Sequence, residues 1–104
     1  MAYEIFLAIE EITKHLYAEV TVATPENAAA FLTKLVAHFA EKVIAVATEI
    51  RPAFTDWRAG FNEDMAVGPH PFAVACRARR IIHARLIPPY TQPPKIGSPY
   101  VEIQ

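Results

Sequence analysis

HPFAVACRARRIIHARLIPPYT, His70 to Thr91, is the stretch whose reading decides the fold. Pro71 suits the first position of a helix, where its missing N–H costs nothing, and His70 stands directly before it as a possible cap. Phe72, Ala73 and Cys76 fall at helical spacing and should face inward. The exit is basic, Arg77-Ala78-Arg79-Arg80, and its cations complement the negative end of the helix dipole. Ile81 to Ile87 then reads as a strand, stopped by Pro88 and Pro89. A helix leading straight into an apolar strand implies a sheet for that strand to join, and the upstream sequence supplies one.

Tyr3, Ile5, Leu7 and Ile9 alternate with Glu4, Phe6, Ala8 and Glu10, which predicts a strand with one face fully buried and the other partly so. Leu16, Ala18, Val20 and Val22 alternate likewise, and the polar link Glu11 to His15 predicts an antiparallel hairpin. Thr24-Pro25-Glu26 is a helix start: Thr24 can cap, Pro25 fits the first turn and Glu26 favours its positive end. Ala28, Phe31, Leu32, Leu35, Val36 and Phe39 form an apolar stripe, so a helix is expected from about Pro25 to Glu41. Val43 to Ala47 reads as a short interior strand. Periodicity fails from Glu49 to Pro69, apart from an expected turn of helix near Asp56 to Phe61. The order strand, strand, helix, strand, helix, strand predicts α/β with a mixed sheet.

Length and composition set the frame. The 104 residues fit one domain, expected over 1–88, followed by a proline-rich tail over 89–104 that is unable to form a central strand. An apolar share of 53% is enough for a core and excludes a disordered chain. No apolar run approaches the ~20 residues of a membrane span, and the acidic start is unlike a secretory signal. Cys76 is the only cysteine, so the expected compartment is a reducing cytoplasm and the thiol reads as core. The net charge of −1 hides an asymmetry: residues 1–50 hold seven Glu against three Lys, and residues 51–104 hold six Arg and one Lys against four acids. Arg77, Arg79, Arg80 and Arg85 form a cluster that could meet phosphates of a nucleic acid. Three glycines exclude a phosphate-cradling glycine loop, and no small-molecule substrate is evident.

AIEEITKHLYAEV (Ala8 to Val20), TEIRPAFTD (Thr48 to Asp56) and the His70–Thr91 stretch together resemble the integrase catalytic core of insertion-sequence transposases. The matching pieces, in order, are the hairpin, the Pro25–Glu41 helix, a short strand, a His-Pro-Phe helix with Ala75-Cys76, Ile81-Ile82-His83 and Pro89-Tyr90-Thr91. The resemblance implies a ribonuclease H-like mixed sheet, incomplete here at both ends. It also implies a metal-dependent DNA-joining chemistry in which three carboxylates hold two Mg²⁺ or Mn²⁺ ions about 3.5–4 Å apart. The family's first Asp lies on a strand before the hairpin and has no counterpart; Glu10, the nearest acid on an adjacent strand, could stand in for it. The second Asp aligns with Glu49, beside an Arg51 that would compete with a metal for the carboxylate. The third aligns with Glu102, which lacks the helix that should follow. Arg80 occupies the place of a helix-ending Gly, and Arg79 that of an apolar residue.

The expectation is therefore a divergent, catalytically inactive integrase-core fragment that serves as a dimerising interaction module, with no cofactor. One alternative is a Mg/Mn-dependent polynucleotidyl transferase using Glu49, Glu102 and Glu10; another is a non-catalytic DNA binder using Arg77, Arg79, Arg80 and Arg85. Without metal, Glu49 would end its strand in an ion pair with Arg51 or Arg58, and Glu102 would be a frayed terminal acid. His15, His38, His70 and His83 lack paired ligand spacing; His70 can cap a helix and His83 pack beside a strand. Trp57 and Phe61 could stack on bases or plug a loop.

Overall fold

A computed structural model describes residues 3–39, 42–55, 70–86 and 100–104. β1 (Tyr3–Glu10) and β2 (Leu16–Val22) form the expected antiparallel hairpin, with Ile5 opposite Val20 and Leu7 opposite Ala18. α1 (Pro25–His38) follows, capped as its sequence demands: the Thr24 side chain accepts from the Asn27 N–H at 3.1 Å. β3 (Ala45–Glu49) starts two residues later than the expected strand, because Val43 to Ala47 is apolar throughout and gives no phase. α2 (Pro71–Ala78) and β4 (Ile82–Leu86) come next, and β5 (Val101–Ile103) closes the sheet.

The spatial order is β2-β1-β5-β3-β4. β5 runs antiparallel to β1 and parallel to β3, which is itself parallel to β4. The sheet is thus mixed, and the class α/β holds. The expectation that 89–104 is only a tail fails at its end. Pro99 is the last proline, so Val101, Glu102 and Ile103 keep the N–H groups that a central strand needs. Val101 and Ile103 are buried, and Gln104 exchanges two backbone hydrogen bonds with Leu7 at 2.9 and 3.0 Å. The expected helical turn near Asp56 to Phe61, the aromatic pair Trp57 and Phe61, and the Pro89-Tyr90-Thr91 loop lie outside the described residues.

Both helices lie on one side of the sheet. Phe6, Ala8 and Glu10 of β1, Val46 and Thr48 of β3, and Val101 and Ile103 of β5 face them. An aromatic chain fills the layer between: Phe6 meets Phe31 at 5.5 Å and Phe54 at 5.2 Å, and Phe54 meets Phe72 at 5.3 Å between centroids. Such edge-on and tilted pairs add about 0.5–1.5 kcal/mol each beyond burial. The Arg51 guanidinium lies against Phe6 and Phe54 and pairs with Glu4, closing this end of the core with a cation over two rings.

The end of α2 explains why a glycine would suit position 80. The Ile81 N–H reaches the Cys76 carbonyl at 2.9 Å and the Arg80 N–H the Arg77 carbonyl at 3.1 Å, the paired bonds of a Schellman motif. That motif needs a left-handed residue at position 80, and Arg80 has φ 55°. A residue with a Cβ costs about 1–2 kcal/mol there. Arg80→Gly relieves this strain while adding freedom to the unfolded chain, which offsets about 0.4–1 kcal/mol. The net expectation is a gain of about 0.5–1 kcal/mol, read as a higher midpoint in urea with unchanged slope.

Candidate functional site

The three candidate acids do not converge. Glu49 ends β3 and Glu102 sits on β5 beside Ala47; strand alternation puts both on the face away from the helices, two residues apart along adjacent strands. The Arg51 guanidinium comes within 4.0 Å of Glu49 but makes its closer pairing with Glu4, so it competes only weakly for Glu49. Gln104 Nε2 donates to Glu102 at 3.4 Å. Glu102 is therefore part of a central strand and not a frayed terminus.

Glu10 lies on the opposite face and is already engaged. Its carboxylate accepts from the Ile12 N–H at 3.1 Å, the Thr13 hydroxyl at 2.6 Å and the Thr13 N–H, which closes the β1–β2 turn. These bonds, the Thr13 hydroxyl first, hold the Glu10 carboxyl below the usual glutamate range despite its burial. A metal at Glu49 and Glu102 would have to draw Glu10 through the sheet. Among the described residues, no group of three or more His, Cys, Asp or Glu could hold a metal ion. The donor set does not fit a two-ion centre.

The turn chemistry of Glu10 gives a stability prediction. Glu10→Gln should cost about 1.5–3 kcal/mol at neutral pH, the range for hydrogen bonds to a charged group. Because the folded carboxyl titrates below its ordinary value, its contribution is complete above the usual glutamate range and lost as pH falls through the lower folded value. Wild-type and Glu10→Gln melts compared from neutral to acid pH should converge at the acid end.

Two of the four histidines, His70 and His83, serve the core, and His15 and His38 are exposed. His70 Nδ1 accepts from the Phe72 N–H at 3.1 Å, capping α2, so Nε2 carries the proton and donates to the Pro52 carbonyl at 2.8 Å. His83 Nε2 lies 2.7 Å from the Thr48 hydroxyl, and its ring meets Phe72 at 5.0 Å edge-on. The Thr48–His83 pairing joins β3 to β4 inside the helix-facing layer. Sequence reasoning missed it, because only the strand register reveals which residue Thr48 meets. Burial pushes the Cys76 thiol up to about 12, so it stays protonated and is no nucleophile.

The four arginines separate. Arg79 spans to α1, donating to the Thr33 hydroxyl at 2.9 Å, and the Arg80 backbone closes the end of α2 while its side chain is exposed. Arg77 and Arg85 line a groove between α2 and β4.

The face away from the helices is apolar at the hairpin. Tyr3, Ile5, Leu7 and Ile9 of β1 stand beside Leu16, Ala18, Val20 and Val22 of β2 without a charge among them. No described helix covers them: Tyr3 is 72% exposed, Ile5 61%, Leu16 58% and Val20 65%. At roughly 150–200 Å² for a fully exposed side chain of this size, these four leave on the order of 450 Å² of largely apolar surface open. No described helix is long and apolar enough to cross a membrane. No family model matches the chain, and no curated protein or solved structure does either.

Proposed function

We propose that this chain is an integrase-core-like domain of ribonuclease H-like build, without strand-transfer activity of its own, that acts as a small module pairing with a second copy. The apolar hairpin face carries the pairing. The largest apolar patch on a soluble chain is about 300–600 Å² and often functional; about 800 Å² per partner is usual for a stable pair, so the contact has to extend past these four side chains. The eight residues of the patch hold no charge, and Glu102 borders them beside Ile9, so a twofold contact centred on Ile5 and Val20 keeps the carboxylates at its rim.

The build is supported by the place of β5. A leading strand whose acid is to meet the end of β3 has to lie between β1 and β3, and β5 occupies that position with the directions such a strand needs. Against catalysis stands the separation of Glu10 from Glu49 and Glu102 by the sheet itself. Sedimentation velocity over a concentration series should show a reversible dimer for the wild type and a monomer for Val20→Glu, with far-UV circular dichroism unchanged. A wild type that remains monomeric at high concentration contradicts the pairing. Calorimetry with Mn²⁺ tests the second element: heat that vanishes in Glu49→Gln would restore a metal centre.

A further inference from the structure

The groove between α2 and β4 carries an inference independent of the sheet's open face. Helix spacing brings Ala73, Cys76 and Arg77 of α2 to one side, and strand alternation brings Ile81, His83 and Arg85 to face them; these six described residues line an open groove of about 240 Å³. Two guanidinium side chains and one imidazole thus share a small hollow, and no carboxylate is among its described lining residues. His83 is fixed in place by the Thr48 hydroxyl at 2.7 Å and by Phe72 edge-on at 5.0 Å. Cys76, Ala73 and Ile81 give the hollow an apolar floor, which lowers the local dielectric and strengthens ion contacts.

We infer that this groove binds a phosphoryl oxyanion, with Arg77 and Arg85 as the cationic contacts and His83 as a held hydrogen-bond partner. The guanidinium fork matches phosphate oxygens two at a time, which an ammonium cannot do. The volume falls short of the ~300–1,000 Å³ of drug-sized pockets and suits a phosphate with a small substituent. Arg79 and Arg80 are not among the described residues that line the groove.

The test is a titration of the full chain with inorganic pyrophosphate, followed by amide NMR shifts at low salt. The expected result is saturable shifts confined to Arg77, Ile81, His83 and Arg85, weakening as salt rises. Arg77→Gln, at an exposed position, should lower affinity about tenfold, the loss of one charge-assisted contact, while Arg79→Gln leaves it unchanged. A parallel arm with a short single-stranded oligonucleotide identifies the source of the phosphate. Tighter binding than pyrophosphate with the same Arg77 dependence assigns a nucleic-acid backbone, and weaker binding assigns a small phosphate ester. Shifts that do not saturate, or an Arg79→Gln loss equal to that of Arg77→Gln, would overturn the proposal.

Discussion

Removal of residues 100–104 is expected to abolish cooperative folding. β5 is only three residues long, yet it is the one strand that joins the β2-β1 hairpin to the β3-β4 pair. Without it both backbone ladders go, and Phe6, Ala8 and Val46 lose the Val101 and Ile103 side chains packed beside them. Burial of those two side chains is worth about 1.5–3 kcal/mol each, before the ladder bonds are counted. A domain of this size has about 5–15 kcal/mol in total, so the loss takes most of it. The measurement is a urea titration by circular dichroism together with proton-amide dispersion: the shortened chain should show neither a sigmoidal transition nor dispersed amides. Glu102→Gln, whose side chain faces away from the helices, should shift stability by no more than about 0.5 kcal/mol. A shortened chain with a wild-type transition would remove β5 from the account.

Phe6→Ala is the second large effect. Phe6 is fully buried and touches Phe31, Phe54 and the Arg51 guanidinium at once, so its loss leaves a void at the junction of β1, α1 and the 51–55 turn. Truncating a buried Phe to Ala costs about 3–5 kcal/mol, and the two ring pairs place this site at the upper end. For about 100 residues that is a fall of roughly 15–30 °C in Tm. Arg51→Met, which keeps a long stem over the rings and removes the Glu4 pairing, should cost far less; calorimetry of both variants separates packing from charge.

Much of this architecture was legible in the residues. The hairpin, the two Pro-started helices with their Thr24 and His70 caps, and the strand after α2 all follow from local signals that act within a turn or two of chain. Two features were not. β5 was hidden by the prolines before it, since a rule about proline removing a donor says nothing of the three residues past Pro99. The facing of the hairpin was also hidden. Tyr3, Ile5, Leu7 and Ile9 are the more apolar set, yet the helices cover Phe6 and Ala8, because the long-range aromatic contacts of Phe6 with Phe31 and Phe54 decide the side. The site was legible only in fragments. The left-handed conformation at Arg80 agrees with the glycine that the resemblance to the integrase core puts at this position. The parting of Glu10 from Glu49 and Glu102 follows from strand order, which no local pattern encodes, and the same holds for the groove that selects Arg77 and Arg85 from the four arginines.

The most direct test of the pairing through the hairpin face is an isotope-filtered NOE experiment on a mixture of labelled and unlabelled chains. Intermolecular contacts should join the methyl groups of Ile5, Leu16 and Val20 on one copy to those of the other and to the Tyr3 ring. Contacts that arise only from Val74 or Ile82, on other parts of the surface, or no intermolecular contact at a concentration where the chain sediments as a dimer, would contradict it.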